Sequence, residues 1–217
     1  MHTPVESKSQ ERTLTTTSYA LLAALALREH STYELAKQMR MGWRYFWPRA
    51  ESNVYAESKR LVAAGLAESR KESTGDRPRT VYSITEAGRV ALVAWLASPS
   101  SRQRYESEAL LKVFFAENGT AEDMLATIRS LRADAVVQVG HWQRIADRYE
   151  AGESQYPDRF GLSALVARLL GEQQTATVRW AEWAEALVSR WGTPSGADAQ
   201  WGIEAIRETG EPFPAEP

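Results

Sequence analysis

The sequence of 217 residues contains no cysteine. That excludes disulfides, thiolate zinc sites and cysteine nucleophiles. Histidine is nearly as scarce: three residues, at positions 2, 30 and 141, lie too far apart to suggest an HExxH or facial-triad metal site. No apolar run approaches the ~18–20 residues that a bilayer crossing needs. The most apolar stretch, Tyr19–Leu27, is closed by Arg28, Glu29 and His30. No basic region with a small-residue cleavage site precedes it, so no signal peptide is read. Walker A, GxGxxG and GxSxG motifs are missing, and no pair of carboxylates sits beside a nucleophile or glycine loop. Catalysis, a metal and a cofactor are therefore not expected. With 43% hydrophobic and 25% charged residues the composition is that of a soluble protein, expected in the cytoplasm.

The net charge of −2 is unevenly spread. Residues 1–100 hold 14 Lys and Arg against 10 Asp and Glu, whereas residues 101–217 hold 12 against 18. A polyanion would prefer the first half, although a modest basic excess is more often a solvated face.

Met1–Arg12 lacks hydrophobic periodicity, so residues 1–15 read as a flexible N-terminus. A first helix is expected from about Thr16 to Glu29, with Leu21, Leu22 and Leu25 at helical spacing. Ser31-Thr32-Tyr33-Glu34 has the form of a capping box and opens a second helix, which Gly42 ends. A third should run from about Arg49 or Glu51 to Ala64, with Gly65 just past its end. Its apolar side would carry Val54, Tyr55, Leu61 and Val62. Its polar side would carry Ser52, Ala56, Lys59, Arg60 and Ala63, with Asn53 and Glu57 at the edge. Leu66–Lys71 and Thr80–Ile84 are short strand candidates around a long turn-rich loop. Thr85 caps a fourth helix bearing Val90, Leu92, Val93, Trp95 and Leu96, and Ser98-Pro99-Ser100-Ser101 marks a domain boundary.

The second half reads as entirely helical. Ala109–Phe115 is apolar on most sides and expected to be buried on most sides. Thr120 opens a long helix to about Ala151, carrying Leu125, Ile128, Leu131, Ala135, Val139, Trp142, Ile145 and Tyr149. The last helix spans about Phe160 to Arg190. Leu162, Val166, Leu169, Gln173, Ala176, Trp180, Trp183 and Leu187 alternate four and three apart along it, the seam of a coiled-coil-like pairing. Two such helices, each ~45 Å long, would leave apolar surface that a second copy of the chain can cover. The residues from 193 to 217 read as a weakly ordered tail.

Helix, helix, helix, hairpin, helix is the winged helix-turn-helix order. The residues resemble the PadR family of bacterial transcriptional regulators at Tyr33-Glu34-Leu35-Ala36, Asn53-Val54-Tyr55, Arg60-Leu61 and Ala64-Gly65-Leu66. The likeness continues through Arg77–Gly88. Glu108–Phe115 and the two long helices resemble the C-terminal domain of the larger, virulence-activator-like branch. The similarity spans residues 16–190. The chain departs from the pattern at Ser31-Thr32-Tyr33, where the family often has His-Gly-Tyr. It departs again at Ser58, where leucine is usual; the serine should loosen the core under the third helix. The expected architecture is mainly α: a winged helix-turn-helix over residues 16–98, then an all-α dimerisation and effector domain over 102–192. The resemblance implies a homodimer on a pseudo-palindromic operator in double-stranded DNA, usually a repressor, in many relatives released by a small molecule.

On this reading the third helix enters the major groove. Ser52 and Asn53 would read base edges, asparagine most naturally an adenine. Tyr55 reaches a phosphate or packs inside, and Lys59 and Arg60 position the backbone. Arg77 and Arg79, partly offset by Asp76, suit a wing lying along the phosphate backbone or in the minor groove, with Lys71 a weaker candidate. The chain has eight tryptophans. Trp43, Trp47, Trp142 and Trp180 form a candidate pocket for a small aromatic effector, or simply core for narrow helical packing. Gln173 would set helix register or contact a ligand, and His141 reads as structural. The competing class is a winged-helix protein-interaction module, which the acidic pI near 6.0 favours and the Arg-Pro-Arg wing opposes. Salt dependence separates the two, because phosphate neutralisation makes affinity fall steeply with salt.

Overall fold

The computed structural model describes residues 14–41, 43–47, 51–74, 77–153, 156–195 and 199–209. Side chains at 41, 51, 52, 74, 77 and 199 lie outside that description, as do Met1–Arg12 and Asp76 of the sequence reading. The chain divides into two units, Met1–Arg102 and Gln103–Pro217. Among the described residues no helix is long and apolar enough to cross a membrane.

In the first unit α1 (Thr16–Leu27) is followed by β1 (His30–Ser31), α2 (Thr32–Met41) and a short 3-10 turn at Trp43–Tyr45. Then come α3 (Glu51–Ala63), β2 (Ala67–Thr74), β3 (Arg77–Ile84) and α4 (Glu86–Ala97). A reciprocal box opens α1: the Thr15 hydroxyl accepts the Ser18 amide at 3.1 Å, and the Ser18 hydroxyl accepts the Thr15 amide at 2.9 Å. At α2 the Ser31 hydroxyl accepts the Glu34 amide at 3.3 Å, and the Glu34 carboxylate accepts the Ser31 amide at 2.7 Å, as expected from the sequence. Burial of the Glu34 carboxyl opposes its ionisation, but the Ser31 hydrogen bonds outweigh this and hold its pKa low. Helix α1 stops at Leu27, short of the expected Glu29. The next residues cross to β1, an edge strand that the sequence reading lacks, which pairs His30 with Tyr82 and Ser31 with Val81.

The three-stranded antiparallel sheet has the order β1-β3-β2. Its hairpin is longer than expected. Pairing runs from Ala67↔Ile84 to Thr74↔Arg77, into the stretch anticipated as a long loop. Leu21, Leu22, Leu25, Leu35, Met39, Val54, Leu61 and Tyr82 make one core beneath α1–α3 and the sheet. Each large side chain buried there contributes ~1.5–3 kcal/mol.

Two glycines fix the join between α3, the hairpin and α4. Gly65 adopts φ +70° and closes α3, with its amide on the Val62 carbonyl at 3.0 Å and the Leu66 amide on the Leu61 carbonyl at 2.9 Å. Gly88 passes against the Leu66 carbonyl, where a Cβ would sit only 2.1 Å from the oxygen. Thr85 accepts the Gly88 amide at 3.1 Å and donates to the Gly65 carbonyl at 2.7 Å. Tyr19 stacks on Trp95 at 5.0 Å, tying α1 to α4. Val90, Val93 and Leu96 on α4 remain exposed.

The second unit contains α5 (Glu108–Phe114), α6 (Ala121–Glu150), α7 (Phe160–Val188) and α8 (Ala199–Arg207). Thr120 and Asp123 cap α6 reciprocally, each side chain accepting the other's amide at 3.1 Å. The long helices fold back on each other. Arg129 donates to Glu185 at 2.6 Å, which holds the Glu185 carboxyl below its ordinary pKa. Their core sits at one end, built from Met124, Leu125, Ile128, Ala181, Ala184 and Val188, with Val113, Ala116, Trp180 and Trp191 against it.

Three expectations change here. The buried stripe of α7 (Ala181, Ala184, Val188) lies one residue on from the expected seam, which is about 100° around the helix. Small alanines let the two backbones approach closely. Leu162, Val166, Leu169, Gln173 and Trp183 consequently face outward. Helix α5 is not buried within one chain, since Phe114 is 75% exposed and Leu110, Leu111 and Phe115 are also open. Finally, the stretch read as a tail carries α8, whose Trp201 stacks on Trp183 and meets Trp191 edge-on.

Candidate nucleic-acid interface

The buried stripe of α3 is Val54, Glu57, Ser58 and Leu61. These positions repeat three and four apart, as one helical face must. Tyr55 therefore does not join Val54 on the core side; it is 50% exposed. The outward face presents Asn53, Tyr55, Ala56, Lys59 and Ala63. Ser52 lies in the first turn beside Asn53, its side chain outside the described set. Lys59 is exposed and has no ion-pair partner among the described residues.

Glu57, read from sequence as an edge residue facing solvent, is only 7% exposed. Its Oε1 accepts hydrogen bonds from the hydroxyls of Thr15 at 3.0 Å and Ser18. Its Oε2 accepts from Arg60 Nη1 at 2.9 Å. Three donors satisfy a carboxylate that would otherwise be expelled from the core. The outward face of α3 thereby loses an expected negative charge, and Arg60 is committed to a partner. Nothing in periodicity flags this, because a carboxylate on a core stripe contradicts the usual pattern.

Helix α2 offers a second set that the sequence reading did not single out. Tyr33, Lys37 and Arg40 are exposed on one face, with the Arg40 guanidinium 6.0 Å from the centre of the Tyr33 ring. Spacings of four and three on the helix preceding α3 were the available signal. In helix-turn-helix proteins that preceding helix crosses the phosphate backbone.

On the wing, Arg77 lies opposite Thr74 in β3, with its side chain outside the described set. Arg79 donates to Glu72 at 2.8 Å, and Arg70 donates to both Glu72 and Glu29. The bond from Arg79, then that from Arg70, holds the Glu72 carboxyl below its ordinary pKa; the Arg70 bond does the same for Glu29. Lys71 is exposed and without an ion-pair partner among the described residues.

The four candidate effector tryptophans divide between the units. Trp43 packs against the first core, and the Trp47 amide donates to the Trp43 carbonyl at 2.6 Å. In the second unit Trp180 flanks the Met124–Ile128 core, whereas Trp142 meets His141 edge-on at 5.2 Å. The Arg129–Glu185 pair sets the level of the two helices. It places Trp142 about eight residues beyond Trp180, roughly 12 Å along the bundle.

Residues 21–94 match the model of the transcriptional regulator PadR-like family, and residues 106–189 match that of the virulence activator alpha C-terminal family. The negative transcriptional regulator PadR of Bacillus subtilis is 24% identical over 178 residues, covering 79% of this chain and 97% of that protein. The crystal structure of Bacillus subtilis PadR in complex with operator DNA is similar with a TM-score of 0.69 and 22% identity, over 80% of this chain and 99% of that one. Its crystal structure in complex with p-coumaric acid gives a TM-score of 0.65 at 21% identity, over 81% and 100%. The shared fold is a winged helix followed by a helical region.

Proposed function

This chain belongs to the PadR-like family of transcriptional regulators, and we propose that it is a homodimeric repressor, released from a pseudo-palindromic operator by a small aromatic effector. The observation that carries the reading is the outward face of α3. It gathers Asn53, Tyr55 and Lys59, with Lys37 and Lys71 exposed on the neighbouring elements and the Glu57 carboxylate withdrawn into the core. In the major groove Asn53, with Ser52 beside it, reads base edges, while Lys59 and the Tyr55 hydroxyl hold phosphates. The wing brings Lys71, Arg77 and Arg79 to the backbone, with Glu72 offsetting part of that charge.

Dimerisation is supported by the uncovered apolar surface of the second unit. Leu110, Leu111 and Phe114 on α5, Phe115 just after it, and Leu162, Leu165, Val166 and Leu169 on α7 have no cover within their own unit. Patches of this kind on soluble proteins mark interfaces, and two-fold pairing places the same patch on both partners. A dimer on a palindrome sets its two reading helices about 34–36 Å apart. An effector that prefers a different spacing then shifts the population off DNA. The p-coumaric acid complex of Bacillus subtilis PadR supports an aromatic effector. Trp43 and Trp47 in the first unit, and Trp142 and Trp180 in the second, are the candidate walls of such a site in either unit.

The test is binding of the full chain to a duplex from immediately upstream of its own gene, at several salt concentrations, beside random duplex. Tight, salt-sensitive binding that Asn53→Ala weakens on the operator but not on random DNA supports the reading. Salt-insensitive binding, or none across a genomic fragment screen, sinks it in favour of a protein-interaction module. Sedimentation of wild type and Phe114→Asp reads the dimer: wild type should sediment as two chains and the variant as one. A reporter behind the operator gives the sign of regulation, and addition of p-coumaric acid asks whether an aromatic acid relieves it.

A further inference from the structure

We infer that Glu57 and Arg60 form a positioning pair: Glu57 seats α3 on the N-terminus of α1 and keeps the Arg60 guanidinium off the DNA backbone, so that neighbouring Lys59 carries the phosphate charge of this turn. The inference rests on the DNA-binding reading above.

The N-terminus of α1 and the middle of α3 share one hydrogen-bonded cluster, in which the Thr15 and Ser18 hydroxyls also lie 3.1 Å apart. Thr15 and Ser18 each use a hydroxyl oxygen to accept the other's amide. Each hydroxyl also has one proton to give, and both lie within donating reach of Glu57 Oε1. The capping box of one helix is thereby extended into the middle of the next helix but one. This end of α1 also carries the positive pole of its peptide dipoles, which favours a carboxylate there. The remaining oxygen of Glu57 is satisfied by Arg60, one turn along α3.

The two adjacent cations therefore differ. Swinging the half-exposed Arg60 onto a phosphate would take a charged donor from a carboxylate whose side chain is 9% exposed, and leaving a buried acceptor short of a partner is unfavourable. Lys59 has no acidic partner among the described residues and lies on the outward face. It reaches a phosphate with no bond broken. Sequence alone treats Lys59 and Arg60 as equivalent; the buried carboxylate separates them.

The salt slope of DNA affinity reads this assignment, because each neutralised phosphate contributes about 0.9 to the slope of log affinity against log salt. Binding of the full chain to the upstream duplex and to random duplex is measured for wild type and variants. Lys59→Ala should flatten the slope by about 0.9, and Arg60→Ala should leave it unchanged. Glu57→Gln frees the guanidinium and should steepen the slope by about 0.9, with Glu57→Gln/Arg60→Ala returning it to the wild-type value. A purely structural role would not produce this pattern. Arg60→Ala flattening the slope as much as Lys59→Ala overturns the inference. Absence of salt-dependent binding by wild type sinks the DNA reading and the Lys59 assignment with it. The seating of α3 is then judged by urea unfolding of Ser18→Ala, Glu57→Gln and the double variant. A combined loss smaller than the sum of the two upholds the seat, and strict additivity removes it.

Discussion

Glu72 and Arg79 face each other across the hairpin as register partners, with the carboxylate Oε2 2.8 Å from the guanidinium Nη2. The other oxygen of Glu72 accepts from Arg70 Nε at 2.9 Å, and Arg70 in turn clasps Glu29 beside β1. The two arginines and two glutamates of this network cancel, and the other described charges of the hairpin, Glu68 and Lys71, are of opposite sign. Exposed pairs of this kind add little to stability. Their effect is on the field that a phosphate backbone meets.

Replacing Glu72 with glutamine should therefore tighten DNA binding and steepen its salt slope by up to about 0.9 per freed arginine that reaches a phosphate. Fluorescence anisotropy at three salt concentrations reads both quantities. An unchanged slope would mean that the wing does not approach the backbone.

Gly88→Ala should destabilise the first unit. The new methyl group would lie 2.1 Å from the Leu66 carbonyl oxygen and 2.8 Å from Ile84 Cγ1. That oxygen accepts the Thr85 amide at 3.1 Å, so it is backbone already in use. Overpacking at such a site costs about 1–3 kcal/mol or more. A urea midpoint equal to wild type would show that α4 can shift without loss.

Ser58→Ala should stabilise. The Ser58 hydroxyl is buried with no hydrogen-bond partner among the described residues, and alanine is the better helix former. Removing the stranded group should gain about 0.5–2 kcal/mol. Ser18→Ala is the counter-example: it deletes a donor to Glu57 and should lower stability. If both serines behaved alike under thermal unfolding, the distinction between a stranded and a committed hydroxyl would fail.

Stability should also depend on His30. Burial, then the nearby Arg28 charge, holds its imidazole pKa below the ordinary 6.5, against a smaller opposing effect of Glu34. The unfolded chain therefore binds more protons as pH drops through 6.5, and stability present above that pH is lost on acidification. Urea midpoints between neutral pH and the folded-state pKa should fall for wild type. His30→Gln should show less of that fall, and equal slopes would assign it to other groups.

Helix starts were legible because caps are local chemistry: Ser31 with Glu34, Thr120 with Asp123, and Thr85 before α4 can all be read within four residues. The end of α3 at Gly65 was legible for the same reason. The outer hairpin was not, because Glu68, Arg70 and Glu72 give no apolar alternation and are held by cross-strand pairing and ion pairs. A two-residue edge strand such as β1 offers no periodicity at all. The face of α3 was only partly legible. Asn53 and Lys59 fell on the expected side, but Tyr55 and Glu57 exchanged places with respect to the core. Hydrophobicity orders tyrosine inside and glutamate outside, whereas three hydrogen-bond donors from two helices reverse that order. The stripe of α7 was misplaced for a different reason: a heptad reading favours large side chains, and this helix pair closes on alanines.

The tight packing of α6 against α7 is concentrated around Met124–Ile128 and Ala181–Val188, while the opposite end of the pair relies on half-buried contacts such as Tyr149 against Phe160. Cooperative opening should therefore be graded along the pair rather than all-or-none. Amide protons near residues 140–165 should exchange with deuterium well before those near 124–135 and 178–188. Two helices of nearly equal length would then differ end to end in lifetime, with a slow root and a fast tip.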